Sequence, residues 1–217
     1  MSITDNLQRT KASLPAHVTL VAVSKTKPIS NLEEAYATGQ RIFGENKIQE
    51  MTQKWEVLPK DIEWHMIGHV QSNKVKYMAP YVALIHGVDS FKLLKEINKQ
   101  AKKNNRVISC LLQVHIAEED TKFGFDANEI ETLITSEEFN TLKNVTITGI
   151  MGMATFTSDT AQITREFQHL KQVYDTTKKT LPSITTLSMG MSGDYQLAIA
   201  EGSTMVRIGS SIFGARN

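Results

Sequence analysis

A lysine that closes an apolar, β-branched run is the residue in this chain best placed to do chemistry. Leu20-Val21-Ala22-Val23-Ser24-Lys25 is short enough for a strand, and Thr26, Lys27 and Pro28 follow it. With a two-residue period, Val21, Val23 and Lys25 share one face, and Leu20, Ala22 and Ser24 share the other. An ammonium at the mouth of an apolar strand is costly to desolvate. Its pKa therefore falls, and a neutral amine can attack a carbonyl to form a Schiff base. The competing reading is a strand-end lysine that snorkels to water. Lys27 is the rival amine on the same face, but Pro28 marks a loop in which Lys27 is well solvated, so Lys25 is the stronger candidate.

Two further segments could hold an anion. Met189-Gly190-Met191-Ser192-Gly193-Asp194 carries two glycines and a hydroxyl around a helix start, and Gly209-Ser210-Ser211 follows an apolar run near the end of the chain. Glycines let backbone N–H groups approach a phosphate, and helix N-termini supply partial positive charge. Taken singly, each segment is more simply an ordinary turn, and only the pair carries weight. Arg207 lies between Val206 and Ile208, inside a strand rather than at its end. Buried there, a guanidinium needs a partner: either a carboxylate or a ligand acceptor such as a ring nitrogen. An amine, a phosphate cup and an arginine between them match the aldehyde, phosphate and pyridine nitrogen of pyridoxal phosphate (PLP).

Other reactive residue types carry less. His65 and His69 are four apart but straddle a strand end and Gly68, so they share no helical face, and no metal site is expected. Cys110 is the single cysteine and sits in Val107-Ile108-Ser109-Cys110-Leu111-Leu112, where a buried inert thiol is expected. Gly190-Met191-Ser192-Gly193 is not a nucleophile elbow, because no Asp and His follow in hydrolase order.

The elements that must position these groups alternate along the chain. Strands are expected at 20–25, 41–44, 63–68, 82–88, 107–116, 145–151, 184–189 and 205–208. Helices are expected at 3–13, 31–39, 47–55, 72–81, from 89 or 90 to about 101, at 127–134, 160–179 and 195–201. Asn31 is read as a helix cap and Gly39 as a stop. Eight alternations predict a (β/α)8 barrel, with a doubly wound open sheet as the competing architecture. In such a barrel, function collects at the carboxyl ends of the strands and phosphate often sits after strands seven and eight. The two glycine–serine segments follow those strands.

Composition fits a single domain over 1–217: the chain is 41% hydrophobic and 22% charged. Lys+Arg 24 against Asp+Glu 23 gives a formal charge of +1, which argues against nucleic acid as a partner. The lone cysteine, the lack of a basic-then-apolar leader and the lack of a membrane-length run together predict a cytoplasmic protein with no membrane partner.

The chain resembles the pyridoxal-phosphate homeostasis protein family, single-domain relatives of the alanine racemase barrel. The matching segments are Ala22-Val23-Ser24-Lys25-Thr26-Lys27-Pro28, Phe43-Gly44-Glu45-Asn46, Trp64-His65-Met66-Ile67-Gly68, Gln71-Ser72-Asn73-Lys74, Val88-Asp89-Ser90, Met151-Gly152-Met153, and the run from Leu187 to Tyr195 continued from Ala200 to Gly209. The resemblance implies PLP as an aldimine on Lys25, with Arg207 facing the pyridine nitrogen. It implies phosphate contacts from Ser192, Gly193, Gly209, Ser210 and Ser211, with Asn46 and the Met151-Gly152-Met153 turn lining the ring pocket. His115 stands where relatives often carry asparagine, and Ser210-Ser211 where threonine-alanine is frequent.

Three function classes follow. The resemblance favours a non-catalytic, monomeric PLP binder that stores, buffers or delivers the cofactor, with PLP-dependent apoenzymes as possible recipients. A PLP-dependent amino-acid racemase or decarboxylase is the alternative, and a Schiff-base aldolase acting on a phosphorylated sugar is a third class that leaves Arg207 unexplained. Racemisation needs acid–base groups on both faces of Cα. In the alanine racemase relatives, a tyrosine from an additional domain of the partner subunit supplies the second face, and that domain is not expected here because the chain stops at Asn217. Tyr36, Tyr77, Tyr81 and Tyr174 are expected on outer helices, which leaves Tyr195 as the one tyrosine near the phosphate loop.

Overall fold

The strands of this protein are short segments of four to eight residues in which apolar residues predominate, and such runs belong to parallel strands covered on both faces. The computed structural model describes residues 2–118 and 123–214. Its strands are β1 (Thr19–Val23), β2 (Ile42–Glu45), β3 (Glu63–Met66), β4 (Leu84–Val88), β5 (Ile108–Val114), β6 (Val145–Gly152), β7 (Thr186–Met191) and β8 (Met205–Ile208). They pair in sequence order, all parallel, and β8 returns to β1 from Thr19↔Met205 to Ala22↔Ile208, so the sheet closes into a barrel. Closure excludes the open doubly wound sheet.

The outer helices are α1 (Ile3–Ala12), α2 (Ile29–Ala37), α3 (Ile48–Val57), α4 (Val75–Met78), α5 (Phe91–Lys103), α6 (Ala127–Thr135), α7 (Glu137–Asn140), α8 (Thr160–Thr180), α9 (Tyr195–Ala200) and α10 (Ser210–Phe213). Their ends follow local chemistry. Ser90 starts α5 by accepting the Leu93 N–H, and Leu93, Leu94, Ile97 and Ala101 then form its buried stripe. Asp126 and Glu129 close a reciprocal capping box on α6. α2 begins at Ile29, with extended Pro28 as its cap, three residues earlier than a cap at Asn31 requires. The 72–81 segment is a 3-10 turn at Ser72–Lys74 followed by the single turn of α4, so Tyr81 falls beyond the helix.

The core has two parts. Between sheet and helices pack large side chains such as Leu7, Phe43, Trp64 and Phe167. Inside the barrel, Val21, Leu84, Leu111, Met151 and Met205 form a second cluster. A polar chain accompanies it: His65 Nδ1 lies 3.0 Å from His86 Nε2, and His86 Nδ1 lies 3.1 Å from Ser188 Oγ. Burial pushes His65 down to about 3 and His86 well below the usual histidine range, so both rings are neutral. Arg207, also inside, donates to the Ser188 hydroxyl at the end of this chain of neutral rings.

Candidate functional site

The carboxyl ends of the strands open on a cavity of about 700 Å³, a size typical of small-molecule sites. Lys25, Asn46, Ser192, Gly193, Arg207, Gly209 and Ser210 all line it. Met151 and Ser211 are placed elsewhere. Met151 is fully buried and packs with Val21 and Leu111 inside the barrel, while Met153, two residues on, forms the wall. Ser211 is exposed in the turn of α10.

Lys25 reaches the cavity from a turn rather than from the strand. β1 ends at Val23, and the Lys27 N–H returns to the Ser24 carbonyl at 3.1 Å, closing a four-residue turn with Lys25 and Thr26 at its centre. Thr26 has φ 63°, a left-handed conformation that disfavours a β-branched residue. The turn is held from outside the cavity. Lys54 Nζ donates to the Ser24 carbonyl at 2.8 Å, Glu50 Oε1 accepts the Thr26 N–H at 2.6 Å, and Glu45 Oε1 accepts the Ser24 hydroxyl at 2.6 Å. Lys54 also pairs with both carboxylates at 2.7 Å. Glu45 is wholly buried, and desolvation raises its carboxyl pKa against the opposing pull of Lys54 and the Ser24 hydroxyl.

Arg207 is 3% exposed, and three of its N–H groups bond to protein oxygens. Nη1 donates to the Ser188 carbonyl at 2.9 Å and to Ser188 Oγ at 2.6 Å, and Nη2 donates to the Gly152 carbonyl at 3.0 Å. A guanidinium carries five donors, so among the described residues two remain for a ligand acceptor. Desolvation lowers its pKa to about 10, with Asp194 pulling the other way, so the group stays cationic at neutral pH. Among the described residues its hydrogen-bonded partners are the neutral oxygens of Ser188 and Gly152, and the Asp194 carboxylate of the same cavity wall acts on it electrostatically.

The two glycine–serine segments meet at the rim. The Gly209 N–H donates to Ser192 Oγ at 3.1 Å, tying the loop after β7 to the loop after β8 and leaving the Ser192 hydroxyl hydrogen to donate elsewhere. A Cβ on Gly193 would meet nothing within 4 Å, whereas one on Gly209 would press on Val23 at 3.1–3.2 Å. Gly190 is not part of this rim. It sits in β7 at φ 95°, where a Cβ would lie 2.6 Å from the Ala198 side chain, so its role is to let α9 approach the strand. β7 thus runs two residues further than its expected end at Met189.

Other residues line or support the cavity. Gln113 lines the cavity and donates to the Phe123 carbonyl at 2.7 Å. His69 lines it too, paired to Asp89 at 2.9 Å and stacked on Phe123 at 4.6 Å between ring centroids. Glu166 of α8 accepts the amides of Thr155 and Glu118 and the Thr155 hydroxyl, joining the loops after β5 and β6. The signal for Glu45 was a carboxylate ending the apolar run Ile42-Phe43-Gly44, a place where burial demands a partner. Glu50 and Lys54 are an i,i+4 pair that reads equally as surface decoration. His115 lies outside the lining, and its amide donates to the Phe125 carbonyl at 3.1 Å. Among the described residues, no group of three His, Cys, Asp or Glu side chains is placed to hold a metal.

Residues 1–217 match the alanine racemase N-terminal domain family. The chain is 41% identical over 208 residues to the pyridoxal phosphate homeostasis protein of Vibrio alginolyticus, covering 94% of this chain and 88% of the relative. Among solved structures, PipY of Synechococcus elongatus PCC7942 without PLP superposes with a TM-score of 0.92 at 35% identity, covering 98% of this chain and 100% of that one. The same protein with PLP bound gives 0.89 at 34% identity with the same coverage. A match of this length and identity, running through every strand of the barrel, shows that the chain belongs to the pyridoxal phosphate homeostasis protein family, built on the alanine racemase N-terminal domain.

Proposed function

We propose that this protein binds pyridoxal 5'-phosphate at the carboxyl end of the barrel and serves cytoplasmic cofactor homeostasis by storing, buffering or delivering it, without turning over amino acids. One observation carries the reading: a lysine, a buried arginine with two donors in reserve, and a glycine–serine rim surround a single cavity. The PLP-bound structure of PipY, at 34% identity over 98% of this chain, supports it.

The residues fit the group. When bound, PLP supplies an aldehyde for a lysine amine and an electron-withdrawing pyridine ring. Lys25 would take the aldehyde end, Ser192, Gly193, Gly209 and Ser210 the phosphate, and Arg207 the ring nitrogen. A guanidinium cannot give up its proton near neutral pH. Facing the ring nitrogen, it would donate a hydrogen bond without transferring its proton, which would weaken carbanion chemistry there. The racemase reading needs a second acid–base group, and Tyr195 is turned away from that role. Its hydroxyl lies 3.2 Å from Ser13 Oγ, beside the end of α1. PLP-dependent apoenzymes are the proposed recipients, and the proposed working form is a monomer.

The test is equilibrium binding of PLP and pyridoxal to the same protein. PLP should bind far more tightly, and Ser192→Ala should weaken PLP while leaving pyridoxal unchanged. Equal affinity for the two ligands would overturn the phosphate assignment.

A further inference from the structure

We infer that Lys54 and Glu50, neither of which faces the cavity, are positioning residues for Lys25: they hold the Ser24–Lys27 turn in the strained conformation that directs the Lys25 amine into the cavity. The inference rests on Lys25 as the reactive amine and adds what aims it.

The geometry is specific. A turn closed by the Lys27 N–H on the Ser24 carbonyl, with φ 63° at its third residue, calls for glycine or asparagine there, and this chain has threonine. Such a conformation persists only where the surroundings over-determine it. Here they do. The Thr26 N–H ends on Glu50 Oε1 at 2.6 Å, and the Ser24 carbonyl takes Lys54 Nζ at 2.8 Å in addition to the Lys27 amide. Lys54 uses its three N–H groups on three oxygens: the Ser24 carbonyl, Glu45 Oε1 and Glu50 Oε1. One ammonium therefore joins the end of β2, the first turns of α3 and the residue before Lys25.

The base of the device is rigid. The side chains of Lys54 and Glu45 are 5% and 0% exposed, so separating them leaves an uncompensated buried charge. Glu50 keeps 22% of its side chain exposed, so it can be altered with little disturbance of the core. The Lys25 side chain branches from the centre of a turn pinned on both sides. Without the pins, Thr26 relaxes to negative φ and the amine swings off the cavity wall.

The test couples the pins to the strain. Wild type, Lys54→Met, Glu50→Ala, Thr26→Gly and the two double variants are treated with pyridoxal and cyanoborohydride, and the rate of reductive labelling at Lys25 is followed by peptide mapping. Backbone amide exchange at position 26 is measured on the same proteins. The left-handed penalty on threonine sets the expected size: labelling at Lys25 slowed by about tenfold in Glu50→Ala and at least as much in Lys54→Met. Glycine adopts the left-handed region freely, so Thr26→Gly should restore most of the rate in both backgrounds. A purely electrostatic effect of Lys54 or Glu50 on the amine, or a general loss of structure, is not relieved by glycine, and unrelieved slowing would overturn the inference. Wild-type rates in the single variants would overturn it too. Should Lys54→Met fail to fold, Glu50→Ala carries the same comparison. If wild type is not labelled at Lys25, the reading of the amine fails separately. The exchange data then decide for the turn: Glu50→Ala must speed exchange at position 26 by about tenfold over its neighbours, and unchanged exchange refutes the pin.

Discussion

Replacing Arg207 by methionine separates a structural role for this residue from a ligand-binding one. The side chain makes three bonds to protein, at 2.9 and 2.6 Å to Ser188 and 3.0 Å to Gly152. Arg207→Met leaves two backbone carbonyls without these donors, at about 1–3 kcal/mol each. Against that loss, a cation that is 3% exposed and bonded to neutral oxygens is removed, which relieves a desolvation penalty of several kcal/mol. Methionine fills comparable space, so the net change in apo stability should fall within about 2 kcal/mol of zero. PLP binding should suffer more clearly. A hydrogen bond from a charged donor contributes about 1.5–3 kcal/mol, or roughly a 10- to 150-fold rise in Kd. Denaturant unfolding of the apo proteins and an absorbance titration with PLP give the two numbers. A loss of more than about 4 kcal/mol in stability with unchanged PLP affinity would make Arg207 a structural peg and refute the reasoning.

Three other outcomes follow from particular contacts. Gly190→Ala should destabilise the fold by about 2 kcal/mol or more in a thermal melt, because φ 95° and a neighbour at 2.6 Å both oppose a Cβ; a neutral result would show that β7 and α9 separate easily. Burial opposes ionisation of Glu166, but the hydroxyl and amide of Thr155, with Gln162 and the Glu118 amide, overbalance it and hold its carboxyl below the usual 4.5. A carboxyl depressed in the folded state contributes stability above its unfolded pKa and loses it as pH falls through the folded value. Wild type should therefore lose more stability below about pH 4.5 than Glu166→Gln in parallel urea melts, and identical pH profiles would contradict this. PLP-loaded protein in deuterium oxide should leave the α-protons of L-amino acids in place; rapid α-deuterium incorporation with appearance of the D-form, abolished by Lys25→Ala, would make the protein a racemase.

The barrel was legible because its parallel strands are short, almost wholly apolar runs separated by amphipathic helices, and the positions of β8 and α8 could be read to within a residue. Arg207 was legible for the same reason: a charge inside such a run must be partnered. Residues near strand ends were harder to place. Met151 and Met153 differ by one strand period, so where β6 ends decides which of them faces the cavity and which the barrel interior. Gly190 read as a loop glycine because nothing local distinguishes a close helix approach from a phosphate turn. The Ser24–Glu45–Lys54 contacts join residues up to 30 apart in the chain, and periodicity carries no information on such pairings. Lys25 was identified from a strand that in fact ends at Val23, yet the turn still brings its side chain to the cavity.

The central claim is that Lys25 is the amine to which PLP attaches. Purified protein saturated with PLP, reduced with borohydride and digested should yield one pyridoxyl-modified peptide, carrying the label on Lys25, and Lys25→Ala should yield none. A wild-type label on Lys27 or Lys54, or a modified lysine at full occupancy in Lys25→Ala, would contradict the account.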